Sequence, residues 1–92
     1  MKPPAYIDGA KVIKWAWSGL NPFGYIDITD SPEREEVYGI AICKYENSGS
    51  VYRFSCDKNW ETVQDGAYAT IEDAIRLLPV QYKNIEAEWQ AI

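Results

Sequence analysis

The chain has 92 residues, 9 basic and 14 acidic side chains and a formal charge of -5, which suffices for one globular domain over 1–92 and excludes a second core. At 47% hydrophobic and 14% aromatic it carries too many apolar and ring-bearing side chains for a disordered segment. The acidic balance, with bases standing singly from Lys2 and Lys11 to Lys44 and Lys83, argues against nucleic acid and anionic membrane surfaces as partners.

No apolar run approaches the roughly 20 residues that cross a bilayer. The start MKPPAYIDGAK lacks the apolar segment of a signal peptide, so the expectation is a cytoplasmic protein. A domain of this size buries only roughly 60 to 65% of its unfolded surface, which leaves monomer and homodimer both open.

Lys11 to Ser18 reads as the first strand, with Ile13, Trp15 and Trp17 on one face and Lys14 on the other. Glycine and proline in SGLNPFG turn the chain, and Tyr25 to Thr29 adds a short second strand. The segment Asp27 to Glu36 holds five acids against Arg34 alone and is broken by Pro32, so it reads as an exposed loop.

Val37 to Tyr45, rich in β-branched and aromatic residues, suits a central strand paired on both edges. The turn cluster ENSGS leads to a strand over Val51 to Cys56. Pairing Tyr45 with Val51 would set Ile42 against Phe54 and Ile40 against Cys56, gathering Ile40, Ile42, Tyr52, Phe54 and Cys56 on one apolar face. A tight turn at Asp57 to Asn59 leads to an edge strand over Trp60 to Gln64, with Trp60 on the side of Cys56. Asp65-Gly66 is read as the next turn. Gly39, inside the central strand, marks a bulge or the close approach of an aromatic ring, with a ligand against that backbone as the alternative.

Thr70 is placed to cap a helix starting at Ile71. Glu72 and Asp73 meet its positive end, and Ile71, Ala74, Ile75 and Leu78 supply an apolar stripe until Pro79 stops it. Tyr82, Ile85, Trp89 and Ile92 fall on one side of a second, C-terminal helix, whose stripe packs on the domain's own core or docks a partner. The expected fold is α+β: a small antiparallel, meander-like sheet of four or five strands with one or two C-terminal helices packed on one face.

There is no histidine, which removes hydrolase sites of the histidine-assisted kind and two-histidine metal sites. Two cysteines cannot supply a four-thiolate zinc site. The register above sends Cys43 and Cys56 to opposite faces, so they read as small buried hydrophobes without a disulfide. Asp27, Asp30 and Glu33 lack the glycine-centred spacing of a calcium loop, and there is no glycine-rich phosphate loop, so neither metal nor cofactor is expected. The carboxylates considered for acid catalysis are Glu61, on a strand beside Trp60, and Asp57, in the turn after Cys56, and both are expected in solvent rather than in the apolar pocket that such catalysis needs.

Residues 51 to 75, VYRFSCDKNWETVQDGAYATIEDAI, resemble small uncharacterised bacterial proteins, some of them similar to the immunity partners of secreted toxins. In these a YxFSCD stretch leads to WE and then to an acidic helix start. The resemblance implies a cytoplasmic, non-catalytic, protein-binding role in a bacterium. The matching positions, Tyr52, Phe54, Cys56, Asp57, Trp60, Glu61 and Ile75, are scaffold, and no binding residue carries over.

Residues and resemblance converge on an acidic surface offered to a basic protein. Its contacts are Asp27, Asp30, Glu33, Glu35 and Glu36, flanked by Tyr25 and Tyr38 as aromatic anchors. The alternatives are a small-molecule module with Trp15, Trp17 and Trp60 around a pocket, and a structural homodimer joined through the Tyr82, Ile85 and Trp89 stripe.

Overall fold

A computed structural model of the chain describes residues 1–27, 30–79, 82 and 87–91. The strands are β1 (Tyr6–Ile7), β2 (Ala10–Trp17), β3 (Gly24–Asp27), β4 (Arg34–Val37), β5 (Gly39–Lys44), β6 (Val51–Cys56), β7 (Thr62–Tyr68) and β8 (Gln90–Ala91), with one helix, α1 (Ile71–Arg76). The main sheet is antiparallel in the order β1-β2-β5-β6-β7, and β8 shares the outer edge of β2 with β1. Strands β3 and β4 form a separate two-stranded sheet between β2 and β5 in the chain.

The central strand of the sequence reading is β5, paired with β2 on one side and β6 on the other. Its register differs from the expected one by a single residue. Ile40 faces Ser55, Ile42 faces Arg53, Ala41 faces Phe54, Cys43 faces Tyr52, and Gly39 faces Cys56. Because side chains alternate along a strand, that slip divides the expected apolar face in two. Ala41, Cys43, Phe54 and Cys56 lie on one face with Val12 and Trp60, while Ile40 and Ile42 lie on the other.

The expectation failed because it assumed one wetted face. Gly39 through Cys43 are all buried, so the alternation of apolar and polar residues that sets register in a half-exposed strand is missing here. Cys43 and Cys56 therefore share a face instead of opposing one another; both remain free thiols, Cys43 beside Tyr52 and Cys56 beside Gly39. Burial pushes both thiols up to about 12.

In β2 a bulge between Val12 and Lys14 resets the alternation, so that Val12, Trp15 and Trp17 stand opposite Cys43, Ala41 and Gly39. Ile13 is the extra residue and does not share a regular face with the two indoles. Before β2 the chain forms a hairpin that the sequence reading left out. Asp8 (φ 49°) and Gly9 (φ 82°) both have positive φ, as a two-residue turn between β1 and β2 requires.

Asp65-Gly66, read as a turn, lies inside β7, where Asp65 faces Phe54 and Gly66 faces Arg53. The edge strand is correspondingly longer than Trp60 to Gln64 and begins later, at Thr62.

Helix α1 begins where expected, with Thr70 Oγ1 accepting the Asp73 N–H at 3.0 Å. It packs over β6 and β7 through Ala74, with Ile71 and Ile75 beside it. Arg53, only 7% exposed, donates from Nη1 to the Ala74 carbonyl at 2.6 Å and lies 4.6 Å from the centre of the Tyr68 ring. A cation thus meets the negative end of the helix it holds to the sheet.

The expected second helix is not found among the described residues. Among the described residues α1 is the one α-helix, and the chain passes through Trp89 into strand β8. Ile85 and Ile92 of the expected stripe lie outside the described residues. Tyr82 is buried with its hydroxyl donating to Ser55 Oγ at 3.1 Å, and Trp89 packs against the core beside Ile42 and Ile40.

Candidate functional site

The acidic segment is a β-hairpin rather than a loop. Gly24 pairs with Val37, Tyr25 with Glu36, Ile26 with Glu35 and Asp27 with Arg34. Phe23, whose N–H donates to the Val37 carbonyl at 2.7 Å, is fully buried with Val37, Ile40 and Tyr82. These two anchors tie the base of the hairpin to the core, so its charged residues are held without a core of their own.

Asp27, Asp30, Glu33, Glu35 and Glu36 are all exposed. Arg34, the base among them, pairs with Asp27 at 3.0 Å; with side chains 64% and 82% exposed, this pair adds little stability. Asp30 sits in the connecting turn with φ 62°, and the Glu33 N–H donates to Ser31 Oγ at 3.1 Å. Glu35 and Glu36 alternate across the ribbon, Glu35 on the side of Ile26 and Glu36 on the side of Tyr25.

The two aromatic residues have different fates. Tyr25 is 48% exposed and stands beside Glu36. Tyr38 is 6% exposed, so it is not an open anchor. Its ring lies tilted against Trp17 at 5.9 Å, the Lys58 ammonium stands 5.0 Å from its centre, and its hydroxyl donates to Glu36 Oε2 at 3.3 Å.

Tyr38 thereby links the hairpin to the turn between β6 and β7. A cleft of about 250 Å³ opens there, where Glu35 and Glu36 come together with Asp57 and Lys58. Asp57, separated from the acidic segment by the whole of β5 and β6, was not part of the expected surface. Its Oδ1 accepts the N–H groups of Asn59 at 2.8 Å and Glu61 at 3.0 Å, and the signal for this in sequence is the DKN turn chemistry alone. Glu61 is exposed, and neither it nor Asp57 lies in an apolar pocket. Among the described residues no three carboxylates or thiols are grouped so as to hold a metal ion.

The three indoles pack on one another. Trp60 packs edge-on to Trp15 at 6.3 Å and tilted against Trp17 at 5.5 Å, and none of the three lines the cleft beside Glu35 and Glu36. A Cβ on Gly39 would lie 2.5 Å from the Trp60 ring. Gly39 is therefore the floor on which this indole rests; it is not a bulge. Trp60 reaches it by adopting φ 61°, a conformation costly for a bulky residue.

The chain matches no protein-family model, no curated protein and no solved structure. Among the described residues no helix is long and apolar enough to cross a membrane.

Proposed function

We propose that the chain is a non-catalytic, cytoplasmic protein that binds a cationic partner protein through the β3–β4 hairpin, in the manner of an immunity protein. One observation carries this reading. Five exposed carboxylates ride on one hairpin, which forms a sheet of its own, with a single arginine as counter-charge. Charges so clustered steer an oppositely charged partner and supply acceptors for its Lys and Arg side chains. Tyr25 supplies the exposed aromatic surface at the flank, while Tyr38 supports Glu36 from below.

The homodimer reading is weaker, because Tyr82 and Trp89 are used within the chain. The aromatic-pocket reading is weaker because the indoles fill one another's space.

The test takes as partner a basic protein co-purified with the chain from its native cell and measures their association by stopped flow. Glu33→Lys, Glu35→Lys and Glu36→Lys together are expected to slow association by about tenfold or more at low salt, with the difference fading at high salt. An association rate unchanged at low salt would remove the hairpin as the docking surface.

A further inference from the structure

At the end of the molecule built from the β1–β2 turn and the end of β5, the fold creates a second surface of opposite charge. Lys11 and Lys44, far apart in the chain, are direct cross-strand partners in β2 and β5. Tyr6 of β1 is in turn the partner of Lys11, so Tyr6, Lys11 and Lys44 form one row on one face of the sheet.

Like charges placed opposite one another in a sheet are destabilising, and a fold tolerates this where the charges have a use. Both lysines are exposed, and among the described residues neither side chain has an ion-pair or hydrogen-bond partner. The chain as a whole carries a charge of -5, so two ammonium groups against the single Glu46 carboxylate of the same groove make a local reversal of its field.

The row borders a groove of about 540 Å³, whose further walls include Ile13, Tyr45 and Glu46. That volume lies in the range of small-molecule sites. The groove is also braced. The Tyr45 hydroxyl donates to the Asp8 carbonyl at 2.9 Å, fixing the end of β5 to the β1–β2 turn. Tyr6, 61% exposed, offers a ring face at the rim.

From this geometry we infer that the groove binds a small amphipathic anion: one carboxylate or phosphate group carried on a flat apolar body. The anionic group sits between the Lys11 and Lys44 ammoniums, where two charge-assisted hydrogen bonds are available. The apolar body lies against Tyr6, Ile13 and Tyr45. Glu46 repels a second anionic group at the far wall, which restricts the ligand to one charged end. This inference is independent of the acidic hairpin, which lies on other strands.

The test is titration of the ¹⁵N-labelled protein with 2-naphthyl phosphate, 2-naphthoate, neutral 2-naphthamide and inorganic phosphate, followed by amide chemical shifts. Saturable shifts at Gly9, Lys11, Lys44 and Asn47 with one or both naphthyl anions are expected, and which anion binds more tightly distinguishes phosphate ester from carboxylate. The amide and inorganic phosphate are expected to bind about tenfold more weakly or not at all, and Lys11→Gln with Lys44→Gln to weaken the anion about tenfold. Both lysines are exposed and mutually repelling, so that double variant is expected to fold, which its amide spectrum verifies.

The inference is overturned by equal binding of the neutral amide, by equal binding of inorganic phosphate, by binding that survives the double variant, or by shifts centred on Trp15 and Trp17 instead of the groove. Absence of any shift at millimolar ligand overturns it as well.

Discussion

The centre of the main sheet and the β3–β4 hairpin are both built from paired antiparallel strands, yet they depend on different forces. In β5 and β6 nearly every side chain is enclosed, both faces are covered, and the fit is close enough that the Trp60 ring occupies the place of a Gly39 side chain. In β3 and β4 the outer residues are charged and wet, and the ribbon is held at its base by Phe23 and Val37. A substitution in the first region alters packing, where each displaced atom affects several neighbours. In the second it alters a field that water already screens, so stability hardly changes while encounter with a charged partner does.

Gly39→Ala is the sharpest way to break this contrast. The added methyl must displace the Trp60 ring, which Trp15 and Trp17 hold in turn, and a loss of about 3 kcal/mol is expected in urea unfolding. A loss near zero would mean that the ring moves freely and the centre is loosely packed.

A second, smaller effect concerns the thiols. Folding holds the protons of Cys43 and Cys56 to about 12, against an ordinary value of 9.0, so the folded state binds more protons than the unfolded one between those limits. Stability from the protonated thiols is therefore complete below pH 9 and is lost as pH rises through the folded values. The urea midpoint should fall from pH 9 to 11, and less so in a Cys43→Ala, Cys56→Ala variant. Burial also raises Tyr82, which adds to the decline in both proteins. At pH 8 a thiol reagent should label the native protein far more slowly than the unfolded one.

The smallest effect is expected in the hairpin. Arg34→Gln removes the ion pair with Asp27 and should change the unfolding free energy by less than about 0.5 kcal/mol, measured in the same urea titration. A larger loss would show that the hairpin is held by its charges as well as by its base.

Elements governed by near neighbours were legible. The Thr70 cap, the start of α1 at Ile71 and the turn at Asp57 follow from side chains that bond backbone groups a few residues away. The two Asp-Gly dipeptides show where local reading stops. Asp8-Gly9 turns the chain, but Asp65-Gly66 runs straight through β7 because six residues of β6 offer it a ladder to join. The chemistry of the dipeptide permits a turn, and the neighbouring strand decides whether one forms.

The candidate surface was legible in the same partial way. Five carboxylates in ten residues belong in solvent wherever the backbone goes, and all five are there. That Asp27, Glu35 and Glu36 ride on paired strands, that Tyr38 turns inward, and that Asp57 joins Glu36 across a cleft depend on which strands meet. The Lys11 and Lys44 pair was invisible for the same reason, since nothing near either residue marks the other as its partner.

By itself the amino-acid order determined the helix start, the central strand, the turn between β6 and β7 and the exposure of the acids, because each rests on hydrogen bonds or solvation within a few residues. Tertiary structure alone decided the one-residue register of β5 on β6, the placing of both cysteines on one face, the strand β8 in place of a second helix and the juxtaposition of two lysines. A sheet covered on both sides has no wetted face to count from, so its register is set by how large and small side chains fit across it, as the Trp60 indole fits over Gly39.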